Sequence, residues 1–150
     1  MGETFSCISL WQPWASLIAA GAKPFETRHW RPHVCQIGHR IAIHAAKRQP
    51  TSDDVVEMDR LVNSVLGPGW WRQGALPYGA VICTAILDGV YQVKSHSADL
   101  ANLEVFGPIK DDGFGDYSVG RYCWHLTGVD ALPQPVPERG HQGFWQWRSP

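Results

Sequence analysis

Residues 13–28 constrain the fold more than any other part of this sequence. Pro13 suits the first turn of a helix, and Gly21 suits the left-handed residue that ends one. Between them, apolar side chains recur at the i, i+3, i+4 spacing of a single helix face, at Trp14, Leu17 and Ile18. The residues that follow Gly21 are more charged, and residues 25–28 have the pattern of an extended strand. We therefore predict a short apolar helix that leads directly into a strand from Phe25 to Arg28.

Three charged side chains, Lys23, Glu26 and Arg28, lie within six residues directly after this helix. In a strand, Glu26 and Arg28 would share one face, while Phe25 and Thr27 would share the other. A cation and an anion would then lie together beside an apolar body, as a polar site on a sheet wall requires. From spacing alone, a surface ion pair that contributes little to stability is the simpler interpretation.

The rest of the chain predicts an α+β domain with about six short strands and two or three helices. The other predicted strands are 5–10, 40–45, 79–93 (bent or broken at residues 88–89) and 120–127. A second helix should begin at residues 51–54, with a capping hydroxyl and acidic residues in its first turn, and end at residues 67–69. We predict that residues 94–119 form a long loop and that Pro133 to Pro137 cannot be an ordinary central strand. The length favours one domain over residues 1–150.

Composition restricts the class of protein. The formal net charge is −1, so contact with nucleic acid would need a local patch, and basic residues do cluster between Arg28 and Arg48. Four widely separated cysteines, together with no signal peptide and no apolar run of about 20 residues, predict reduced thiols, a cytoplasmic location and no membrane contact. The His and Cys spacings match no zinc site, so we expect no metal and no other cofactor.

Three stretches resemble the ASCH (activating-signal-cointegrator homology) family. The motif G-x-K-x-x-E-x-R at residues 21–28, after the helix QPWASLI, is similar to the family signature. Residues 114–124 resemble the late loop and strand of the family, and residues 135–145 resemble its closing segment. The resemblance covers nearly the whole chain. It implies a small mixed β-barrel, similar to the PUA RNA-binding barrel, with two to three flanking helices.

The resemblance also implies a nucleic-acid-binding cleft between the first helix and the barrel, with RNA favoured as single-stranded, structured or modified nucleotide. Lys23 would hold a phosphate or carbonyl oxygen, and Arg28 would make a forked contact to phosphate or a base edge. Glu26 would orient these cations or accept a hydrogen bond from a base. Around them we expect Gln12, His44, Lys47, Arg48, Tyr117, Ser118 and Arg121. Tyr117 would stack on a base and Ser118 would bind phosphate.

Two other functions stay open. A hydrolase acting on RNA or nucleosides would need Lys23, with Glu26 as a general base or, for RNA cleavage, with Glu26 or His44. Some ASCH members resemble amidohydrolases of acetylated cytidine with a Lys-x-x-Thr motif. Here Glu26 stands at the Thr position, and Thr27 should point to the opposite face. The third possibility is a protein-interaction module that has kept only the barrel.

Overall fold

The structure is a computed structural model that describes residues 2–150. Its helices are α1 (Trp14–Ala19) and α2 (Ser52–Leu66), with one 3-10 turn at Val34–Gln36. Its strands are β1 (Thr4–Leu10), β2 (Phe25–Arg28), β3 (Arg40–Ala45), β4 (Ala80–Ser97), β5 (Leu100–Leu103), β6 (Gly107–Lys110), β7 (Tyr122–Pro137) and β8 (Phe144–Arg148). The hydrogen-bonded strand order is β2-β7-β4-β3-β1-β8, with β5 pairing to β4 and β6 to β5. The predicted α+β class with a mixed sheet is confirmed. No helix within residues 2–150 has the length and apolar character needed to cross a membrane.

The chain divides into two compact units. The first comprises residues up to 22 with 40–85 and 129–150, and the second comprises residues 23–39 and 86–128. The long strands β4 and β7 each contribute to both units.

In the first unit, β1 pairs in parallel with β3 and antiparallel with β8. A buried cluster joins the three strands to the start of β4, through Cys7, Ala42, Val81 and Trp147. The backbone N–H of Ala46 donates to the carbonyl of Leu10 at 2.9 Å. Because parallel strands end at the same edge, the segments that follow β1 and β3 emerge together.

The helix ends follow the predicted caps. Pro13 precedes α1, and Gly21 beyond it has a φ of 79°. Thr51 caps α2, since its Oγ1 accepts from the N–H of Asp54 at 3.1 Å and its own N–H donates to Asp54 Oδ2 at 2.7 Å. This reciprocal capping box satisfies two backbone donors that a helix start would otherwise leave unpaired. Gly67 ends α2 with a φ of 89°.

In the second unit, β2 pairs antiparallel with the beginning of β7. The register places Glu26 opposite Trp124 and Arg28 opposite Tyr122. The core of this unit is a buried cluster of Phe25, Val93, Ala101, Leu103, Tyr117 and Cys123.

The long loop predicted for residues 94–119 was wrong for residues 94–110, whereas residues 111–119 contain no helix or strand, as predicted. Strand β4 runs without a break to Ser97, and β5 and β6 then form a hairpin. In the hairpin, Ala101 and Leu103 alternate with exposed residues and enter the core of the second unit. Four-residue strands with only two buried side chains leave too weak an alternation to recognise in the sequence.

Strand β7 extends through Pro137, but β2 pairs only with its residues 122–125, which is compatible with the prediction that Pro133 to Pro137 cannot be an ordinary central strand. The prolines at 133, 135 and 137 are spaced by two residues, so their missing N–H groups all fall on the same edge of the strand. The opposite edge keeps its donors, as the N–H of Glu138 shows by donating to the carbonyl of Gly79 at 3.0 Å. Spacing by two therefore lets a proline-rich segment pair along one edge.

Candidate functional site

The charged residues of the 21–28 motif form one array, with Glu26 and Arg28 on β2 and Lys23 just before it. Lys23 Nζ lies 3.4 Å from Glu26 Oε1, and Arg28 Nε lies 3.5 Å from Glu26 Oε2. Lys23 is 1% exposed and Glu26 is 7% exposed, whereas the Arg28 side chain keeps 26% of its surface accessible. One carboxylate thus joins two cations, and the array carries one positive charge in excess. The surface ion pair that spacing alone favoured is instead largely buried.

Backbone contacts hold this array in place. Lys23 Nζ donates to the carbonyl of Phe25, and the N–H of Thr27 donates to Glu26 Oε1 at 3.1 Å. An ammonium has three N–H donors. The carbonyl of Phe25 and the carboxylate of Glu26 take two of them, in a side chain that is 1% exposed.

Two aromatic side chains on β7, Tyr122 and Trp124, lie against arginines of this unit. Arg28 Cζ lies 6.0 Å from the centroid of the Trp124 ring, and Arg31 Cζ lies 5.5 Å from the centroid of Tyr122. Trp30 meets Trp124 edge to face at 4.9 Å. Cations over aromatic faces are attracted by the ring quadrupole. Sequence reasoning missed Arg31 and these aromatic side chains, because the register that places them together is set by strand pairing.

Residues 116–121 contact the other face of β2. Thr27 Oγ1 accepts from the N–H of Asp116 at 2.9 Å, and Arg121 Nη2 donates to the carbonyl of Thr27 at 3.3 Å. Arg121 Nε also lies 3.7 Å from Asp116 Oδ2. The Ser118 N–H and hydroxyl both donate to Asp116 Oδ1 and, as the main cause, hold the pKa of that carboxyl below its usual value. Ser118 and Arg121 therefore lie beside β2, each with a partner within the protein.

Tyr117 is part of the core. Its side chain is 3% exposed, and its hydroxyl donates to Asp112 Oδ1 at 3.3 Å. Burial raises the pKa of Tyr117, and the nearby carboxylate of Asp112 adds to the shift. The structure therefore presents the ring to core neighbours and not to a surface where a base could stack.

Gln12, in the first unit, is 1% exposed and fixes the turn before α1. Its Nε2 donates to Ser16 Oγ at 2.7 Å and to the carbonyl of Pro77 at 2.8 Å. Its Oε1 accepts from the N–H of Ser16 at 3.0 Å. Both ends of the amide are therefore engaged, as a buried polar side chain requires.

His44 is also buried, at 1% exposure, and links β3 to two other segments. Its Nε2 lies 2.8 Å from the carbonyl of Glu138, which can only accept, so Nε2 carries the proton. Nδ1, 3.0 Å from Ser9 Oγ, then accepts from that hydroxyl. Burial lowers the pKa of His44, nearby His141 acts in the same direction, and the hydrogen bond to Glu138 opposes them.

Acidification should therefore destabilise the protein through His44. The folded state holds the neutral ring, while the unfolded chain titrates near the ordinary value of 6.5. The stabilisation is fully present above pH 6.5 and is lost as the pH falls below it. Thermal unfolding at about pH 7.5 and about pH 5.5 should show a smaller fall in Tm for His44→Gln than for the wild type. The exposed control His29→Gln should keep the wild-type difference, and an unchanged difference in His44→Gln would contradict the assignment.

Lys47 and Arg48 follow β3 in the first unit. Lys47 is exposed, and its aliphatic stem packs on Gly79, where an added Cβ would lie 3.0 Å from Lys47 Cγ. Arg48 Nη2 lies 3.1 Å from Asp54 Oδ2. Among residues 2–150, no three His, Cys, Asp or Glu side chains are grouped so that they could hold a metal ion.

Comparison with known proteins identifies the family. The ASCH domain family matches residues 8–127. Among solved structures, the chain is similar to the crystal structure of ASCH from Zymomonas mobilis, with 16% sequence identity and a TM-score of 0.48. That likeness covers 88% of this chain and 72% of the Zymomonas chain. Since the family match spans most of the sequence and includes the 21–28 motif, this protein belongs to the ASCH domain family.

Proposed function

We propose that this ASCH domain binds RNA at Lys23, Glu26 and Arg28, on β2 and the segment directly before it. The observation that carries the proposal is the shared carboxylate. Two cations held on Glu26, 3.4 Å and 3.5 Å away, leave one excess positive charge on a fixed frame. A polyanion with unpaired bases suits a small cationic site of this kind.

Arg28 is the residue best placed to contact RNA. Its guanidinium is held by Glu26, lies over Trp124 and remains a quarter exposed. A guanidinium fixed in this way offers forked donors to a phosphate or to a base edge with little loss of side-chain freedom. Arg31, exposed over Tyr122, adds a second cation in the same unit.

Lys23 has a different role in this proposal. Its remaining donor suits a neutral carbonyl oxygen of a base better than a phosphate. The Glu26 carboxylate lies 3.4 Å from the same ammonium and would repel a second anion placed beside it. Lys23 and Glu26, which are 1% and 7% exposed, would therefore reach a base only after local opening of the site, while Arg28 contacts the backbone or a base edge without it.

The other predicted site residues divide into two groups. Lys47 and Arg48 are accessible cations that can contact phosphates. The other side chains are engaged by hydrogen bonds within the protein: Gln12, His44, Tyr117, Ser118 and Arg121. The Thr27 hydroxyl accepts from Asp116 on the other face of β2, which opposes a threonine nucleophile at this motif and leaves Lys23 and Glu26 as the residues a hydrolase would need.

Binding of labelled single-stranded RNA tests the proposal. Arg28→Ala should weaken binding about tenfold at about 50 mM salt and reduce the slope of log K against log salt by about 0.7. Lys94→Ala removes the same charge from an exposed side chain of the same unit, which lies 3.8 Å from Glu104, and serves as the matched control. Thermal unfolding of each variant verifies that the fold is intact. A gel that resolves shifted and cleaved RNA tests the hydrolase alternative at the same time.

Two results would oppose the proposal. Equal losses in Arg28→Ala and Lys94→Ala would show that only overall charge matters. Absence of salt-sensitive binding by the wild type would favour the protein-interaction alternative over RNA.

A further inference from the structure

Trp11 is exposed, although the residues directly before and after it are buried. Trp11 is 54% exposed, while Leu10 before it and Gln12 after it are 2% and 1% exposed. Burial of an indole is one of the larger favourable terms available to a small domain. A tryptophan left half open between two buried residues is therefore a candidate for contact with a ligand.

The chain on both sides of Trp11 is fixed. The carbonyl of Leu10 accepts from Ala46 at 2.9 Å, and the carbonyl of Trp11 accepts from Ala15 at 3.2 Å. The amide of Gln12 is engaged at both ends. The indole is thus presented from a rigid backbone, so a ligand that stacks on it loses little conformational entropy.

Arg48 holds the indole from one side. Its Cζ lies 4.0 Å from the centroid of the Trp11 ring, and its Nη2 lies 3.1 Å from Asp54 Oδ2. Asp54 is itself fixed by the capping box with Thr51. A chain of contacts therefore runs from the first turn of α2 to the ring of Trp11 and orients it.

The positive charge beside Trp11 indicates which class of ligand would bind there. Arg48 lies over the ring, and the exposed Lys47 is the neighbouring residue in sequence. A fixed aromatic surface with one cation over the ring and a second exposed cation one residue away along the chain complements a molecule that is both aromatic and anionic, which describes a nucleotide. Exposed Trp and Arg also occur at protein interfaces, but these two cations favour the nucleotide.

We propose that Trp11 is a stacking platform for an unpaired base of single-stranded RNA, with Arg48 supporting the ring and Lys47 contacting phosphate. This inference rests on the proposed RNA-binding function. It adds that the first unit reads an unstacked base and that duplex RNA is excluded from this contact.

The test compares variants of Trp11 on one single-stranded RNA and on a duplex of the same sequence. Trp11→Ala should weaken single-strand binding about tenfold, and Trp11→Phe should retain most of it. Because stacking releases no counterions, the ratio of wild type to Trp11→Ala should be the same at about 50 mM and about 200 mM salt. Duplex binding should not change. Trp71→Ala is the matched control, since Trp71 is 39% exposed and lies 5.2 Å from the Arg72 guanidinium.

An indole signal gives an independent readout. The Trp11 ¹H–¹⁵N signal is identified by its loss in Trp11→Phe, and it should shift on addition of single-stranded RNA. Unchanged affinity of Trp11→Ala, while Arg28→Ala binds weakly, would overturn the platform and leave the RNA-binding proposal intact. Equal losses in Trp11→Phe and Trp11→Ala would also overturn stacking. No binding by the wild type would overturn both proposals.

Discussion

Replacing Lys23 with methionine is expected to lower the free energy of unfolding by about 3 kcal/mol, because removal of one partner from a buried ion pair leaves the other charge uncompensated. The charge left behind belongs to Glu26, which is 7% exposed. Arg28 at 3.5 Å and the N–H of Thr27 at 3.1 Å still contact that carboxylate, so the loss should be at the lower end of the range for such pairs. Urea denaturation at constant pH measures it.

A double variant separates the buried charge from the loss of packing. Lys23→Met combined with Glu26→Gln should recover most of the stability lost in Lys23→Met, because no uncompensated carboxylate remains. Lys94→Met is the control, since Lys94 pairs with Glu104 at 3.8 Å with half of each side chain exposed, and it should change stability by less than about 0.5 kcal/mol. If Lys23→Met and Lys94→Met were equally stable, that result would contradict the burial of the Lys23–Glu26 ion pair.

The position of Lys23 also determines which variants can test binding. A loss of RNA affinity in a Lys23 variant would combine a lost contact with a displaced Glu26. Arg28 is a quarter exposed and contacts the same carboxylate, so it is the better position for a functional test.

Tyr117→Ala is expected to lower the free energy of unfolding by about 3 kcal/mol, because it removes a large ring from the core of the second unit. Tyr117→Phe keeps the ring and loses only a 3.3 Å hydrogen bond to Asp112, so it should cost about 1 kcal/mol or less. Chemical denaturation of the two variants measures both values.

Tyr117→Leu distinguishes the core role from stacking on a base. It should reduce stability but leave RNA affinity unchanged at temperatures where the variant is folded. Normal stability combined with a tenfold loss of affinity would instead restore Tyr117 as a ligand contact.

Local signals in the sequence were sufficient for several elements. The helix ends at Gly21 and Gly67 are confirmed by positive φ values, and the start of α2 is confirmed by its capping box, whereas Pro13, predicted as the first helical residue, directly precedes α1. Alternation from residue 25 to 28 predicted β2 and placed Glu26 and Arg28 together, as their ion pair confirms. These features depend on neighbours in the chain, which is why the sequence reveals them.

Other features depend on pairing between distant segments of the chain and could not be predicted from the sequence. The register that sets Glu26 opposite Trp124 joins segments almost 100 residues apart in the chain. Burial of Tyr117 could not be distinguished from exposure, because an aromatic side chain suits both a core and a stacking surface. The β5–β6 hairpin was missed for a different reason, since its alternation covers only four residues in each strand.

The most direct test of RNA binding at the motif is an NMR titration of ¹⁵N-labelled protein with single-stranded RNA. We predict that the largest shifts fall on the backbone amides of Thr27 and Arg28, the Arg28 Nε–H and the indole N–H of Trp124, and that these shifts diminish as salt is raised. Spectra that do not change, or shifts confined to the exposed side of α2 while the β2 signals stay in place, would contradict the account.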